Sequence, residues 1–425
     1  MNTIDLSRIE PFETCPIRPP TENYSLTFRL TRNCGWNRCL FCPVYKQGVK
    51  FSQRSFEEIK DDVDRAKAID DLLGKEGIRW PAPGEDSFHA ADMLIAHIEE
   101  ARGSSLQTTD KSKNIGNKGA DWFSSWFRDT PSIEESIYHV LSWRMGGGRT
   151  CFIGDSNSLI ISPELFMRSA SYIRQAFPDL TRFTIYGRTR SAADMKASDL
   201  EAFAEAGLNR VHFGLESGCD EVLAFMKKGV TAHQHILGCR KTSDAGISCG
   251  VYVMPGLGGV RWTKKHASET ARVLTAAAPD YVRLRTLEIF PGTTLEAASR
   301  AGDFVEATED QVVREIRTLV EQTETETAIV SDSASNLLDL SGRLPEDRAA
   351  MLSVIDEYLA LPPREKLAFS LSSRLGSFIS QYGGITQEIM KAVIPYLEGD
   401  KINIGEASDS EVEKTIRLIR SKLMP

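Results

Sequence analysis

Apolar and polar residues alternate along Ser25-Leu-Thr-Phe-Arg-Leu-Thr-Arg32, the period-two pattern of a strand. Strand-like runs return at Thr150–Gly154, Arg182–Tyr186, Arg210–Gly214, Ser248–Met254 and Tyr281–Thr286. Amphipathic helical runs lie between them, including Asp199–Ala206 before Arg210 and Thr231–Ala245 before Ser248. Six strands alternating with helices predict parallel βα units, hence an α/β fold: a partial (β/α)6 TIM-like barrel over residues 25–320. Ligands bind at the carboxyl ends of such strands, so that rim is where chemistry is to be sought.

The spacing of elements breaks once. A helix predicted from Ser55 to about Leu73 puts Ile59, Val63, Ala66 and Ile69 on one face, yet the next strand starts only at Thr150. Residues from about 75 to 148 therefore read as a helical insertion after the first βα unit. It holds a helix-like stretch Ser87–Ala101, a Gly/Ser/Lys/Asn-rich loop near Gly103–Gly119, the aromatic run Trp122-Phe123-Ser-Ser-Trp126-Phe127, and a helical run Ile133–Met145. The aromatics pair at i and i+4, which suits either packing of the insertion on the barrel or a lid that keeps water off a substrate.

Residues 1–24 form a proline-rich N-terminal extension, and 321–344 a connector in which Glu321–Thr327 reads as a solvated strand or linker. Residues 345–425 predict a helical C-terminal subdomain with helices over Glu346–Leu361, Pro363–Gln381, Gln387–Leu397 and Asp409–Leu423. No apolar run is long enough to span a membrane, and the first residues lack the basic-then-apolar layout of a signal peptide, so a cytoplasmic location is expected. A net charge of −8 argues against a broad nucleic-acid surface, though not against a local basic groove.

The first strand runs into Asn33-Cys34-Gly-Trp-Asn-Arg-Cys39-Leu-Phe-Cys42-Pro. An odd number of thiols cannot pair off internally, so three on one tight loop suit a soft metal or cluster better than a disulfide. Zinc usually takes four ligands, and no second CxxC or histidine pair at metal spacing supplies the fourth. Cys34, Cys39 and Cys42 suit a 4Fe–4S cluster with one iron left open; the plain alternative is three unrelated buried cysteines. Cys15 is either a fourth ligand, a redox partner or incidental. Cys151, Cys219, Cys239 and Cys249 lack ligand spacing, which argues against a second cluster and against sulfur insertion.

This strand and cysteine loop, with Phe41 just before the last cysteine, resembles the radical S-adenosylmethionine (SAM) superfamily. Later stretches resemble its branch with anaerobic coproporphyrinogen oxidase, the elongator catalytic subunit and the tRNA methylthiotransferases. The spacing departs from the usual CxxxCxxC: here Gly35, Trp36, Asn37 and Arg38 make it CxxxxCxxC. The resemblance implies an enzyme in which the methionyl group of SAM chelates the open iron of the 4Fe–4S cluster. An electron from a reducing partner such as flavodoxin or ferredoxin then cleaves SAM, and the 5′-deoxyadenosyl radical abstracts hydrogen from a small organic substrate. The alternatives are cleavage toward a 3-amino-3-carboxypropyl radical, or an iron–sulfur protein that senses or transfers electrons without catalysis.

By the same resemblance, cofactor contacts fall on Phe41, on Gly154, Asp155 and Ser156 after the second strand, and on Glu216, Ser217 and Lys228 around the fourth. Lys228 stands where relatives place an arginine for the SAM carboxylate, which keeps the charge but loses the bidentate fork. Tyr252 and Gly256 mark the adenine-binding fifth strand, with Tyr252 where an aspartate would hold ribose. Arg283 and Arg285 share one face of the sixth strand, and Tyr186 and Arg188 end the third. These four are the candidate substrate contacts, the arginines suiting an anion.

Overall fold

A computed structural model describes residues 5–46, 48, 50–77, 85–103, 131–399 and 401–423. Its main sheet has eight strands in sequential order: β1 Leu26–Arg29, β2 Thr150–Gly154, β3 Arg182–Gly187, β4 Leu208–Glu216, β5 Ser248–Val253, β6 Tyr281–Leu284, β7 Thr327–Val330 and β8 Gly342–Leu344. β1 to β7 run parallel and β8 returns antiparallel to β7. β1 and β8 do not pair, so the sheet curves without closing. Strands such as β1 are buried along their whole length, as expected when helices cover the outer face and side chains fill the inner one.

The register of β1 on β2 sets Arg29 opposite Gly154, which brings the start of the cysteine loop beside Asp155. The helix Phe56–Lys75 opens on a capping box between Ser55 and Glu58 and buries Ile59, Val63, Ala66 and Ile69, the face its period predicts. The helix Ile133–Met145 buries Ile137, Val140, Leu141 and Trp143 beside β1. From it, His139 Nε2 accepts the Thr27 backbone N–H (2.9 Å), satisfying a donor on the sheet edge. Among the described residues, no helix is long and apolar enough to cross a membrane.

The six predicted strands are β1 to β6. β7 and β8 come from the stretch that the sequence reads as a connector: Thr327-Ala-Ile-Val330 is short, and the acidic run before it hides its pattern. The helix Arg348–Ala360 sends Met351, Ile355 and Tyr358 into the main core. A second apolar cluster gathers Leu371, Phe378, Ile389, Val393, Ile416 and Ile419 from the later helices. The aromatic run Trp122–Phe127, and with it the choice between packing and lid, lies outside the described residues.

Candidate active site at the rim of the sheet

The chain turns sharply after β1, with φ of 66° at Asn33 and 43° at Asn37, left-handed values that asparagine tolerates. Asp155, fully buried after β2, fixes this turn. It accepts the Asn33 N–H (2.8 Å), pairs with the Arg29 guanidinium (2.9 Å) and receives the Tyr45 hydroxyl. Ser156 Oγ adds a bond to Asn33 O (3.2 Å). In the structure the carboxylate of Asp155, one of the candidate cofactor contacts, is engaged by the protein and holds the cysteine loop. Gly154 O accepts the Leu30 N–H (3.0 Å), and a Cβ on Gly154 would lie 2.5 Å from Cys15 Sγ. Cys15 is thus packed against the end of β2, its thiol bonded to Phe28 O (3.3 Å) and pushed up to about 12 by burial.

Cys34, Cys39 and Cys42 are free and half-buried. Leu40 pins their loop by donating to Met226 O (3.0 Å) and accepting from the Leu295 N–H (3.0 Å). Burial pushes the Cys42 thiol up to about 11, and the nearby Cys39 and Cys34 thiols add to it. Burial raises Cys39 too, while Lys228 and Arg188 pull against that rise. The three thiols therefore stand together with cations beside them, and deprotonation on metal binding would be compensated there. Among the described residues, no three His, Cys, Asp or Glu side chains close on a single metal ion. Thiolates that each take a different iron of a cluster need not, so the donor set fits a 4Fe–4S cluster better than zinc.

β4 slips register against β5 between Gly214 and Glu216. The Ser217 N–H donates back to Leu215 O (2.8 Å), so Glu216 sits at the centre of a γ-turn with φ of 65°. That conformation is strained for a residue with a Cβ, and such strain collects at functional sites. The turn aims the Glu216 carboxylate at Lys228 Nζ (3.1 Å), and both side chains are 12% exposed. Lys228 Nζ also stands 5.7 Å from the centroid of Phe41. Burial opposes its charge, but Glu216 and Cys39 outweigh this and hold the ammonium above its ordinary value. A charged pair thus meets the cysteine loop.

Trp36, one of the four residues between the first two cysteines, ties that loop to the Lys228 turn. Its indole N–H donates to Lys227 O (2.8 Å), and a Cβ on Gly229 would come within 2.1 Å of its ring. Arg188 lies 4.8 Å over the same ring and donates to Lys228 O (2.5 Å). Arg188, a candidate substrate contact, thus sits beside the cysteine loop. Ser217 Oγ accepts the Cys219 N–H (3.0 Å) and shapes the turn after β4. The Gly256 N–H donates to Glu315 Oε2 (2.7 Å), which His266 Nδ1 also approaches at 3.2 Å. His266 Nε2 reaches toward Glu216 O (3.5 Å), so this buried pair braces both turns. Sequence reasoning missed it because the two residues are 49 positions apart in helices with no motif.

Tyr186, Tyr252 and Arg283 share the inner face. The tyrosine rings lie 6.3 Å apart, and Arg283 Nη1 stands 3.4 Å from Tyr252 Oη. With Arg285 they line a cavity of about 1080 Å3 that reaches Asn33 and Val44 at the cysteine loop.

Residues 116–270 match the model of the Radical SAM superfamily. The match begins beyond the three cysteines, so their assignment rests on the geometry above. No curated protein sequence matches the chain. Among solved structures, Elp3 of the archaeon Methanocaldococcus infernus is similar at 16% identity over 49% of this chain and 53% of that one, with a TM-score of 0.37. The radical S-adenosylmethionine methyltransferase TsrM from Kitasatospora setae is similar at 16% identity over 65% of this chain and 40% of that one, with a TM-score of 0.38. Coproporphyrinogen III oxidase (HemN) from Escherichia coli is similar at 12% identity over 98% of this chain and 92% of that one, with a TM-score of 0.36. The chain thus spans about half the length of the first of these proteins and less of the second. Over residues 116–270, then, the chain is similar to the Radical SAM superfamily, whose members are enzymes that bind a 4Fe–4S cluster and SAM.

Proposed function

We propose that this protein cleaves SAM reductively to a 5′-deoxyadenosyl radical and uses it on an organic substrate held in the barrel. The observation that carries this reading is the meeting of Cys34, Cys39 and Cys42 with the Lys228–Glu216 pair at the strand ends. In this reading the three thiolates hold the cluster, and Lys228 supplies the cation for the SAM carboxylate. Glu216 accepts from the amino group or ribose, and Phe41 and Tyr252 pack beside the nucleoside. When bound, the cluster supplies one electron that cleaves a carbon–sulfur bond of SAM. The protein's part is to orient SAM and to exclude water, with Asp155 and Trp36 keeping the loop in place. The chain's eight cysteines are all free, which suits a reducing cytoplasm and a reductant such as flavodoxin or ferredoxin.

The test is anaerobic reconstitution, addition of SAM and dithionite, and assay of the nucleoside products. Slow release of 5′-deoxyadenosine is expected. Methylthioadenosine alone would move the cleavage to the 3-amino-3-carboxypropyl side, and an absence of any product would favour a sensor. The Cys39→Ala protein should lose its iron and its product together; normal iron content in that variant would remove Cys39 from the ligand set.

A further inference from the structure

The 1080 Å3 cavity lies at the gap where the sheet does not close, and its construction is uneven. One side is the N-terminal segment near Arg18 and the helix Ile133–Met145; the other is the chain after β7 and the helix Pro363–Tyr382. The volume is that of a whole organic ligand rather than of a few waters. Its acidic residues, Glu135, Asp332 and Asp339, are exposed at the mouth. Its cations lie deeper. Arg29 is engaged by Asp155, while Arg283 is only 2% exposed and reaches Asp332 through Nε at 3.0 Å. Arg285 follows on the same face, and Tyr186 and Tyr252 add two phenols beside the guanidinium groups.

The wall from the helix Pro363–Tyr382 is built for room. Ser373, Gly376, Ser377 and Ser380 turn to the cavity, and a Cβ added at Gly376 would meet nothing within 4 Å. The same helix buries Leu371, Leu375 and Phe378 in the second apolar cluster. The C-terminal helices thus stand as one wall of the chamber.

We infer that this cavity binds an organic anion whose acidic group docks on Arg283 and Arg285 at the floor, its body lying against the Gly376 face of the C-terminal helix. Planar guanidinium groups suit carboxylate-like oxygens, and the exchange of Asp332 for the ligand keeps the Arg283 charge paired. Only the identification of this anion as the substrate rests on the radical reading above.

Two fluorescent probes of nearly equal shape test the site in the full-length protein: anionic 8-anilinonaphthalene-1-sulfonate and uncharged N-phenyl-1-naphthylamine. Arg285→Gln and Arg283→Gln should each weaken the sulfonate about tenfold, the loss of one charged hydrogen bond, and the neutral probe less than about twofold. Gly376→Phe should weaken both probes. Equal losses for the two probes in both arginine variants would overturn the anion site, as would unchanged sulfonate binding in both. Unchanged binding of both probes in Gly376→Phe would overturn the wall. Probe binding is measured without cluster, so its discrimination survives a failed SAM-cleavage assay, and the two readings fall separately.

Discussion

Glu216 shows what single residues do here. Its φ of 65° places a charged side chain where glycine would be at ease, and the reward is a carboxylate aimed at Lys228 beside the cysteine loop. Glu216→Gln and Lys228→Met should each weaken SAM binding by roughly 1–3 kcal/mol, the range for hydrogen bonds to charged groups, with iron content kept. Isothermal titration of the reconstituted protein measures this, and unchanged affinity in both would return the pair to a structural role. Trp36 works one step further out. Trp36→Phe keeps the ring under Arg188 but removes the N–H to Lys227 O, a bond worth about 1 kcal/mol. A several-fold loss of SAM affinity at normal iron content is the expected result. A loss of iron instead would mean that Trp36 serves the cysteines directly.

At the scale of elements, the edge of the sheet is held by neutral histidine. His139 on the helix beside β1 is fully buried, and burial together with the facing Arg18 lowers its pKa to about 3. The folded protein therefore refuses a proton that the unfolded chain accepts below its ordinary value of about 6.5. Stability contributed this way is complete above that value and falls as the pH drops toward 3, by up to about 1.4 kcal/mol per pH unit. His235, buried near Lys228 and Arg188, is lowered to about 3 in the same way and adds to the slope. Chemical denaturation between pH 7 and 5 should show the decline, and His139→Gln should flatten it. An identical slope in that variant would remove His139 from the account.

Across the whole molecule, the C-terminal helices are fastened to the barrel by buried charge. Arg420 donates to both Glu288 oxygens (2.9 and 3.0 Å) and also meets Glu306, while Arg374 pairs with Glu309 and bonds Ser335 O. Removing one partner of a buried pair leaves the other uncompensated, so Arg420→Ala should cost on the order of 3 kcal/mol. Thermal unfolding reads this as a lower Tm or a separate early transition of the C-terminal helices; an unchanged single transition would show that apolar packing alone holds them.

The six parallel strands, the long gap after the first helix and the cysteine loop were legible in the sequence, because each is written in near neighbours: period-two runs, one apolar helix face, three thiols in nine residues. The strand β7 was not, since four residues after an acidic run carry too little pattern. The partners of charged groups were legible least. Asp155 meets Asn33 across 122 positions, Arg188 meets the Lys228 turn across 40, and Arg420 meets Glu288 across 132. Local pattern fixes which face of an element is buried, but it does not say which distant side chain will stand opposite. That is decided by strand register and helix packing, which set the Asp155 carboxylate against Asn33 and Arg29 at the cysteine loop.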